Sequence, residues 1–204
     1  MIKIAVLVSG GGTNLQALID AERQGVIRSG TLSLVVSNNA NAYALERAKA
    51  AGIESRVLLK RDFPSQDAFE DALINTLKEK GIEFVVLAGF MSLLGKRFIE
   101  AYEGRIINVH PALIPSFCGK GYYGLRVHEE ALKKGVKVTG ATVHYVNEIA
   151  DGGEIIAQKA VRVLKNDTPE TLQKRVMRQA EWIILPRATE MVCKKLSKTK
   201  GENV

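Results

Sequence analysis

The sequence is poor in residues that cross-link a chain or carry it through a membrane. Among its 204 residues, only Cys118 and Cys193 could form a disulfide, which excludes a disulfide-stapled scaffold. No segment approaches the roughly 18 consecutive apolar residues that a membrane helix requires. The apolar stretch Ile2 to Val8 meets Ser9 and three glycines at once, so it is too short for a signal-peptide core. These absences predict a cytoplasmic protein with no membrane partner.

Acidic residues are also in the minority, since 22 Asp and Glu stand against 29 Lys and Arg, a formal net charge of +7. Such a balance suits a nucleic-acid partner, anionic small substrates or a basic solvated surface. No basic stripe interleaved with aromatic residues occurs, which disfavours nucleic acid and leaves anionic metabolites as sufficient partners. Several lysines of the excess lie near the end of the chain, and we predict a flexible basic tail over about 195–204.

Strand-like apolar runs alternate with helix-like stretches along the first half of the chain. This alternation predicts an α/β fold with a doubly wound, predominantly parallel sheet. The predicted strands are Ile2 to Val8, Leu32 to Val36, Phe84 to Leu87 and Arg105 to Val109, and the predicted helices are Leu15 to Gln24, Tyr43 to Ala51 and Gln66 to Lys78. We expect a single domain over 1–204.

Two later strands, Lys137 to Val146 and Glu154 to Val163, flank a turn-rich segment and are predicted to form an antiparallel C-terminal extension of the sheet. A last helix is expected to begin with Thr168 as its N-cap and Pro169 as its first residue. Within that helix, Pro186 predicts a kink or a break.

The segment Ser9-Gly-Gly-Gly-Thr13-Asn14 joins the first strand to the first helix. A glycine turn there brings backbone N–H groups and a helix N-terminus to one spot, an arrangement that attracts phosphate. Leu15 stands where the dinucleotide fingerprint needs its third glycine, so a mononucleotide or sugar phosphate fits better. The alternative interpretation is a tight turn in which Asn14 caps the helix.

Asn108 and His110 lie two apart in a predicted strand, so their side chains point to the same side. Pro111 then ends the strand and places His110 at its carboxyl end, the edge where open α/β sheets bind ligands. Asp151, before two glycines, is either a turn former or a carboxylate that orients an imidazole. Together, such groups could stabilise an oxyanion and move a proton, whereas taken alone His110 is as consistent with a structural role.

The remaining candidates carry less chemistry. His128 is expected on the surface of a helix, and His144, within an alternating strand, is expected to be structural. Cys118 lacks an activating environment. No cluster has the ligand spacing of a zinc site, so we expect no metal.

Four segments, taken in order, resemble the glycinamide ribonucleotide formyltransferases of purine synthesis. They are Val6-Leu-Val-Ser-Gly-Gly-Gly-Thr-Asn-Leu15, Leu87-Ala-Gly-Phe-Met91, Ile107-Asn-Val-His-Pro-Ala-Leu-Ile-Pro115 and Asp151-Gly-Gly153. The third is shared with the wider folate-dependent formyltransferase group and indicates the type of reaction, whereas the first indicates the substrate. The resemblance implies a Rossmann-like fold and transfer of a formyl group from 10-formyltetrahydrofolate to the amine of glycinamide ribonucleotide.

The resemblance also implies which residues act. Its catalytic set is Asn108, His110 and Asp151. The ribonucleotide would be bound by Gly12, Thr13, Asn14 and Glu181, and the folate by Phe90, Met91, Leu93 and Leu94, although the leucines also suit the start of a buried helix. Three features depart from the family pattern: Ser92 replaces a frequent Arg, the loop Ser116 to Gly124 is longer, and one extra residue precedes Glu181.

Other functions remain open at this point. A methionyl-tRNA formyltransferase would suit the charge but carries an additional C-terminal domain, and a formyltetrahydrofolate hydrolase usually carries an extra N-terminal one. We expect neither extra domain in this chain. A non-catalytic nucleotide-binding module would use the glycine loop alone, with Asn108, His110 and Asp151 as structural residues. The sequence does not define the oligomeric state.

Overall fold

Seven strands form one sheet in the computed structural model, which describes residues 1–201. Their order across the sheet is β3-β2-β1-β4-β5-β6-β7. The strands are β1 (Ile2–Val8), β2 (Gly30–Ser37), β3 (Ser55–Val57), β4 (Phe84–Leu87), β5 (Ile106–His110), β6 (Val138–Tyr145) and β7 (Ile155–Arg162). The first five pair in parallel, while β6 pairs antiparallel with both β5 and β7. The predicted fold class, including its antiparallel extension, is confirmed.

Helices cover both faces of this sheet. They are α1 (Thr13–Arg23), α2 (Tyr43–Ala50), α3 (Gln66–Glu79), α4 (Lys96–Ala101), α5 (Leu125–Lys134), α6 (Pro169–Val176) and α7 (Trp182–Gly201). A 3₁₀ turn at Lys60–Asp62 follows β3, and a π-helical segment at Met177–Glu181 joins α6 to α7. The sequence prediction missed β3 and α4 because they are only 3 and 6 residues long, too short for a periodic pattern.

The central strand β1 is buried on both faces. Ile4 and Val6 belong to the apolar cluster that α1, α2 and α7 cover, whereas Ala5 and Leu7 belong to the cluster under α3 and α4. Burial on both faces explains why β1 is continuously apolar from Ile4 to Val8 rather than alternating. Because both faces are covered, polar ligands can reach the parallel strands only at their ends.

The last helical region begins as predicted but is interrupted at a different place. The Thr168 side chain accepts a hydrogen bond from the Thr171 backbone, and Pro169 is the first helical residue. The predicted break at Pro186 is wrong, because Pro186 lies inside α7. The irregularity is the π-helical segment before it, in which the Trp182 N–H bonds to the Met177 carbonyl. In a regular α-helix the N–H of residue 186 would donate to the Trp182 carbonyl, but proline has no N–H. The missing hydrogen bond therefore falls at the junction between the π-helical segment and α7.

In the structure α7 continues through Gly201, over the first part of the segment that the sequence analysis expected to be a flexible basic tail. Leu196 packs against the core, Lys195 lies 5.4 Å from the centre of the Tyr145 ring, and Lys200 forms an ion pair with Glu83. These contacts hold the basic segment against the sheet. Residues 202–204 of the predicted tail lie outside the described residues. No helix within residues 1–201 is long and apolar enough to cross a membrane.

Candidate active site

The glycine loop connects the carboxyl end of β1 to α1. Gly12 is the N-cap of α1 and has a φ of 69°. No side chain caps the helix, so the alternative prediction that Asn14 is the cap is wrong. The first backbone hydrogen bond of the helix runs from the Gln16 N–H to the Gly12 carbonyl. The N–H groups of Thr13 and Asn14, which precede Gln16, therefore have no acceptor within the helix. A Cβ at Gly12 would lie 2.6 Å from the Ala44 Cβ, so only glycine fits there. The loop therefore presents free N–H donors.

A cation is fixed beside this loop. Arg47 of α2 donates from Nε to the Gly11 carbonyl at 2.8 Å and from Nη1 to the Gln16 side chain at 3.0 Å. A cavity of about 420 Å³ between α1 and α7 also borders Thr13 and Arg47. The sequence analysis missed Arg47, because only the packing of α2 against the loop, where the Ala44 N–H donates to the Gly10 carbonyl, brings it near. An arginine at this place adds positive charge to a site already suited to an anion.

A second set of polar groups lies at the carboxyl end of β5. The Asp151 carboxylate bridges two imidazoles, with Oδ2 3.5 Å from His110 Nδ1 and Oδ1 3.5 Å from His144 Nε2. The Asn108 amide nitrogen lies 3.3 Å from His144 Nε2. The Gly119 N–H donates to Asp151 at 2.8 Å. The three predicted catalytic residues are thus in one cluster, together with a second histidine.

His144, which the sequence analysis expected to be structural, is a fourth member of this cluster. The antiparallel register of β5 and β6 sets His144 opposite Asn108. Its Nδ1 lies 2.7 Å from the Tyr145 carbonyl, which can only accept, so Nδ1 carries a proton and Nε2 faces Asp151 and Asn108. The available signal was the alternation of β6, which puts His144 and Thr142 on one face.

The turn that carries Asp151 depends on its glycines. Asp151 adopts a left-handed φ of 55°, a conformation that Asp tolerates better than most residues. A Cβ on Gly153 would lie 1.8 Å from the Tyr145 carbonyl oxygen, the same atom that accepts from His144. The Asp-Gly-Gly sequence therefore lets the turn pass close to β6 and direct its carboxylate at the two histidines.

Burial and charge set the ionisation of this cluster. Burial lowers the pKa of His110 below its ordinary value, and the neighbouring Asp151 charge offsets only part of that effect. Burial alone would raise the pKa of Asp151, but its contacts with His144, His110 and the Gly119 N–H outweigh it and leave that pKa lowered. At neutral pH the resting cluster therefore holds an ionised carboxylate beside a neutral His110.

Both ring nitrogens of His110 face acceptor oxygens. Nε2 lies 2.8 Å from the Phe117 carbonyl, and Nδ1 lies 3.5 Å from Asp151. A neutral imidazole has one N–H and satisfies only one of them, whereas an imidazolium donates to both. The pair of contacts therefore favours the protonated ring, against the effect of burial. Phe117 belongs to the longer loop and has a left-handed φ of 50°.

The predicted folate segment follows β4 and is held by side chains from three neighbouring parts of the chain. The Met91 N–H donates to Ser9, Ser92 accepts from Asn38, and the Gly95 N–H donates to Glu70, with distances of 2.6–2.7 Å. Met91 and Leu93 are 55% and 77% exposed, whereas Phe90 and Leu94 pack partly against the core. The exposure of Leu93 does not fit a buried helix start. The segment thus offers apolar surface without protein cover.

Glu181 lies where the π-helical segment meets the glycine loop. Asn14 Nδ2 donates to its carboxylate at 2.7 Å, and the side chain is buried. Burial raises the pKa of Glu181 to about 7, although the Asn14 hydrogen bond acts in the opposite direction. A buried carboxylate with a single donor is costly to the fold, which is typical of a group kept for a ligand.

His128 and Cys118 lie outside the set of proposed catalytic residues. His128 was predicted on a helix surface, but it is fully buried in α5, and burial lowers its pKa to about 4, so the ring is neutral. It packs beside Val127 and Ala131 on the face of α5 that meets the rest of the protein. Burial and the Asp151 charge raise the pKa of Cys118, which disfavours a thiolate nucleophile. Residues 1–201 contain no cluster of three His, Cys, Asp or Glu placed to hold a metal ion.

A doubly wound sheet with an anion-binding loop and an amide, two imidazoles and a carboxylate at one edge defines an enzyme of group transfer to or from a small anionic substrate. Residues 2–189 match the formyl transferase family, and the chain belongs to that family. The sequence is 40% identical to the phosphoribosylglycinamide formyltransferase of Haemophilus influenzae, over 91% of this chain and 84% of that protein.

Other relatives and solved structures agree. The human trifunctional purine biosynthetic protein adenosine-3 is 43% identical over 93% of this chain, which spans only 18% of that longer protein. The glycinamide ribonucleotide transformylase 1 from Symbiobacterium toebii superposes with a TM-score of 0.90 at 42% identity, covering 96% of this chain and 89% of that one. The phosphoribosylglycinamide formyltransferase from Bacillus halodurans gives a TM-score of 0.86 at 40% identity, with 97% and 96% covered.

Proposed function

We propose that this protein transfers the formyl group of 10-formyltetrahydrofolate to the primary amine of glycinamide ribonucleotide, a step of de novo purine synthesis. The observation that carries the proposal is the cluster of Asn108, His110, His144 and Asp151 at the carboxyl end of β5. Relatives that carry the corresponding names cover nearly the whole chain. We further propose that the protein carries out this reaction in the cytoplasm.

In the proposed reaction, the acceptor amine attacks the formyl carbon and forms a new C–N bond. The formyl oxygen gains negative charge, which Asn108 and a protonated His110 stabilise as hydrogen-bond donors. The bond from the formyl carbon to the folate nitrogen then breaks, and the proton lost by the amine ends on that nitrogen. Asp151 keeps His110 in orientation and stabilises its positive charge. These donors meet the needs of the oxyanion, so the proposed mechanism uses no metal.

The Phe117 carbonyl supports the role assigned to His110. It lies 2.8 Å from Nε2, the place relative to the ring that a formyl oxygen would take. We infer that the substrate oxygen replaces this carbonyl when the folate binds. As negative charge develops on the new acceptor, the imidazolium that donates to both sides becomes the favoured form, which is the state that catalysis requires.

The ribonucleotide is assigned to the glycine loop. We assign its phosphate to Gly12, Thr13 and Asn14, because the N–H groups of Thr13 and Asn14 have no acceptor in the helix and Arg47 adds a positive charge beside them. We assign Glu181 to the same substrate, which is supported by its 2.7 Å hydrogen bond from Asn14 of the adjoining helix. The exposed apolar surface at Met91 and Leu93, with Phe90 and Leu94 beneath it, is assigned to the folate.

The deciding experiment offers the purified protein one formyl-folate donor and three acceptors: glycinamide ribonucleotide, methionyl-tRNA and water. We expect formylation of the ribonucleotide at a catalytic efficiency far above the other two. Comparable formylation of methionyl-tRNA would identify the tRNA enzyme, and release of formate alone would identify a hydrolase. Phosphate binding without any of the three reactions would leave the nucleotide-binding module.

A further inference from the structure

The cavity of about 420 Å³ between α1 and α7 extends well beyond the glycine loop. One face of α1 lines it, because its lining residues recur every three or four positions: Thr13, Gln16, Ala17, Asp20, Ala21 and Gln24. This face is about 16 Å long, at 1.5 Å per helical residue. The cavity therefore has the size of a small-molecule site, for which about 300–1,000 Å³ is usual.

The walls of the α1–α7 cavity combine apolar surface with a few polar groups, the usual composition of a ligand site. Ile183 and Pro186 of α7 are apolar, and the Trp182 indole adds a flat aromatic surface. Such a surface suits a planar ring, because bases stack on aromatic side chains. Gln16 and Asp20 of α1 offer an amide and a carboxylate to the edge of that ring.

Arg187 supplies a positive charge at the cavity wall. The helices α1 and α7 run in the same direction, because Asn14 bonds to Glu181 at one end and the Ser29 N–H bonds to Glu190 at the other. Arg187 therefore lies farther from the glycine loop than Trp182, by about 7.5 Å along the helix. It is exposed and makes no ion pair or hydrogen bond with any residue from 1 to 201. Its guanidinium is available to a phosphate.

A chain of side-chain contacts connects the cavity to the glycine loop. Gln16 donates to Asp20 at 2.9 Å and accepts from Arg47 at 3.0 Å. Arg47 in turn donates to the Gly11 carbonyl at 2.8 Å. A ring edge that binds Gln16 competes with Arg47 for the same amide and so disturbs the contact that holds Gly11. A phosphate in the cavity also repels a phosphate bound at the loop.

We propose that the α1–α7 cavity binds a nucleoside monophosphate, with its base against Trp182 and its phosphate at Arg187, and that this ligand weakens binding of the substrate at the glycine loop. The first part does not depend on the proposed reaction. The second part rests on the proposed function, which assigns the substrate ribonucleotide to that loop. Because the two sites differ, both ligands can be bound at once, and each weakens the other by the same factor.

Trp182 is the only tryptophan of the chain, so its fluorescence reports directly on the cavity. The test titrates the purified protein with adenosine monophosphate, adenosine and inorganic phosphate. We expect a saturable change with the nucleotide and binding at least about tenfold weaker for the other two, because each lacks one of the two anchors. The absence of both a fluorescence change and a heat of binding with the nucleotide would overturn the inference. So would an equal affinity for adenosine or for phosphate.

Three variants test the placement of the ligand, with thermal unfolding as a control for the fold. Arg187→Ala should bind the nucleotide about tenfold more weakly and adenosine as before. Ala17→Leu extends a larger side chain into the cavity and should weaken both. Lys198→Ala removes the same charge from α7 outside the cavity lining and should change neither. Unchanged affinity for the nucleotide in Arg187→Ala or in Ala17→Leu, or an equal loss in Lys198→Ala, would overturn the inference.

Formylation assays test the effect on the substrate. Adenosine monophosphate should raise the apparent KM for glycinamide ribonucleotide to a plateau and leave kcat unchanged, and Arg187→Ala should require about tenfold more of it. A KM that rises without limit, and equally in Arg187→Ala, would place the nucleotide in the substrate site and overturn the inference. An unchanged KM with the nucleotide bound would refute the coupling. Binding of the nucleotide without any formyl transfer would instead contradict the proposed function and leave the cavity with its ligand.

Discussion

Replacing Asp151 with Asn tests whether the carboxylate and the imidazoles act as one catalytic unit. Asparagine keeps nearly the same shape and tolerates the left-handed conformation that Asp151 adopts, so the turn should survive. It removes the negative charge that lies 3.5 Å from His110 Nδ1 and 3.5 Å from His144 Nε2. The change therefore isolates the charge from the shape of the turn.

The expected magnitude follows from the geometry. At 3.5 Å and an effective dielectric constant of about 20, a carboxylate and an imidazolium attract each other by about 5 kcal/mol before desolvation is subtracted. Only the part that grows as His110 becomes charged lowers the barrier. We therefore expect turnover to fall by about 10²- to 10⁴-fold, which corresponds to about 3 to 5 kcal/mol.

The assay compares turnover of Asp151→Asn, His110→Ala and the double variant under saturating substrates, with thermal unfolding of each as a control for the fold. Because members of one catalytic unit are strongly non-additive, the double variant should be little worse than the more damaged single one. Losses that multiply would show that the residues act separately. Near-normal turnover in a folded Asp151→Asn protein would return this aspartate to the role of a turn former.

Three further predictions concern the binding residues. Glu181→Gln should unfold at a higher temperature than the wild type at pH 8 but not at pH 4. The pKa of Glu181 rises from 4.5 to about 7 on folding, so the wild type loses up to about 3 kcal/mol of stability as pH rises through that range, and the glutamine variant does not. Equal differences in unfolding temperature at both pH values would contradict this. Gly11→Ala adds a Cβ that meets no atom within 4 Å, so it should raise the KM for the ribonucleotide without lowering the unfolding temperature. Gly12→Ala should raise the same KM and also destabilise the fold. An equal rise of the folate KM in Gly11→Ala would count against the assignment of the ribonucleotide to this loop. Glu70→Ala removes the acceptor of the Gly95 N–H and should raise the folate KM more than the ribonucleotide KM, and unchanged constants for both would refute its role in holding that segment.

The sequence predicted the local placement of Asn108 and His110 because strand periodicity alone decides which side chains share a face. It did not predict that Asp151 would bridge two histidines. That contact depends on the register between β5 and β6, which sets His144 opposite Asn108, and on a turn that passes over Tyr145. Pairing register is a property of two segments far apart in the chain, so no pattern within either segment reveals it.

Burial of His128 was, in contrast, open to prediction. The residue lies one turn before Leu132, which packs partly against the core, and directly after Val127, which is fully buried. Helical spacing of three to four residues places His128 and Leu132 on one face of α5. Its polar character led to the surface assignment, although burial lowers the pKa of the ring to about 4 and so keeps it neutral. Here the apolar neighbours were better indicators than the residue itself.

The π-helical segment explains how the chain keeps Glu181 in place despite the extra residue before it. In a regular α-helix each residue advances the side-chain direction by about 100°, so one inserted residue would turn Glu181 away from Asn14. The segment Met177–Glu181 absorbs one residue in a wider turn, as the bond from the Trp182 N–H to the Met177 carbonyl five residues earlier shows. Glu181 consequently still meets Asn14 at 2.7 Å, and Val176 before the segment and Ile184 after it both remain in the core. The extra residue, which departs from the family pattern, is accommodated without moving the carboxylate of Glu181 away from Asn14.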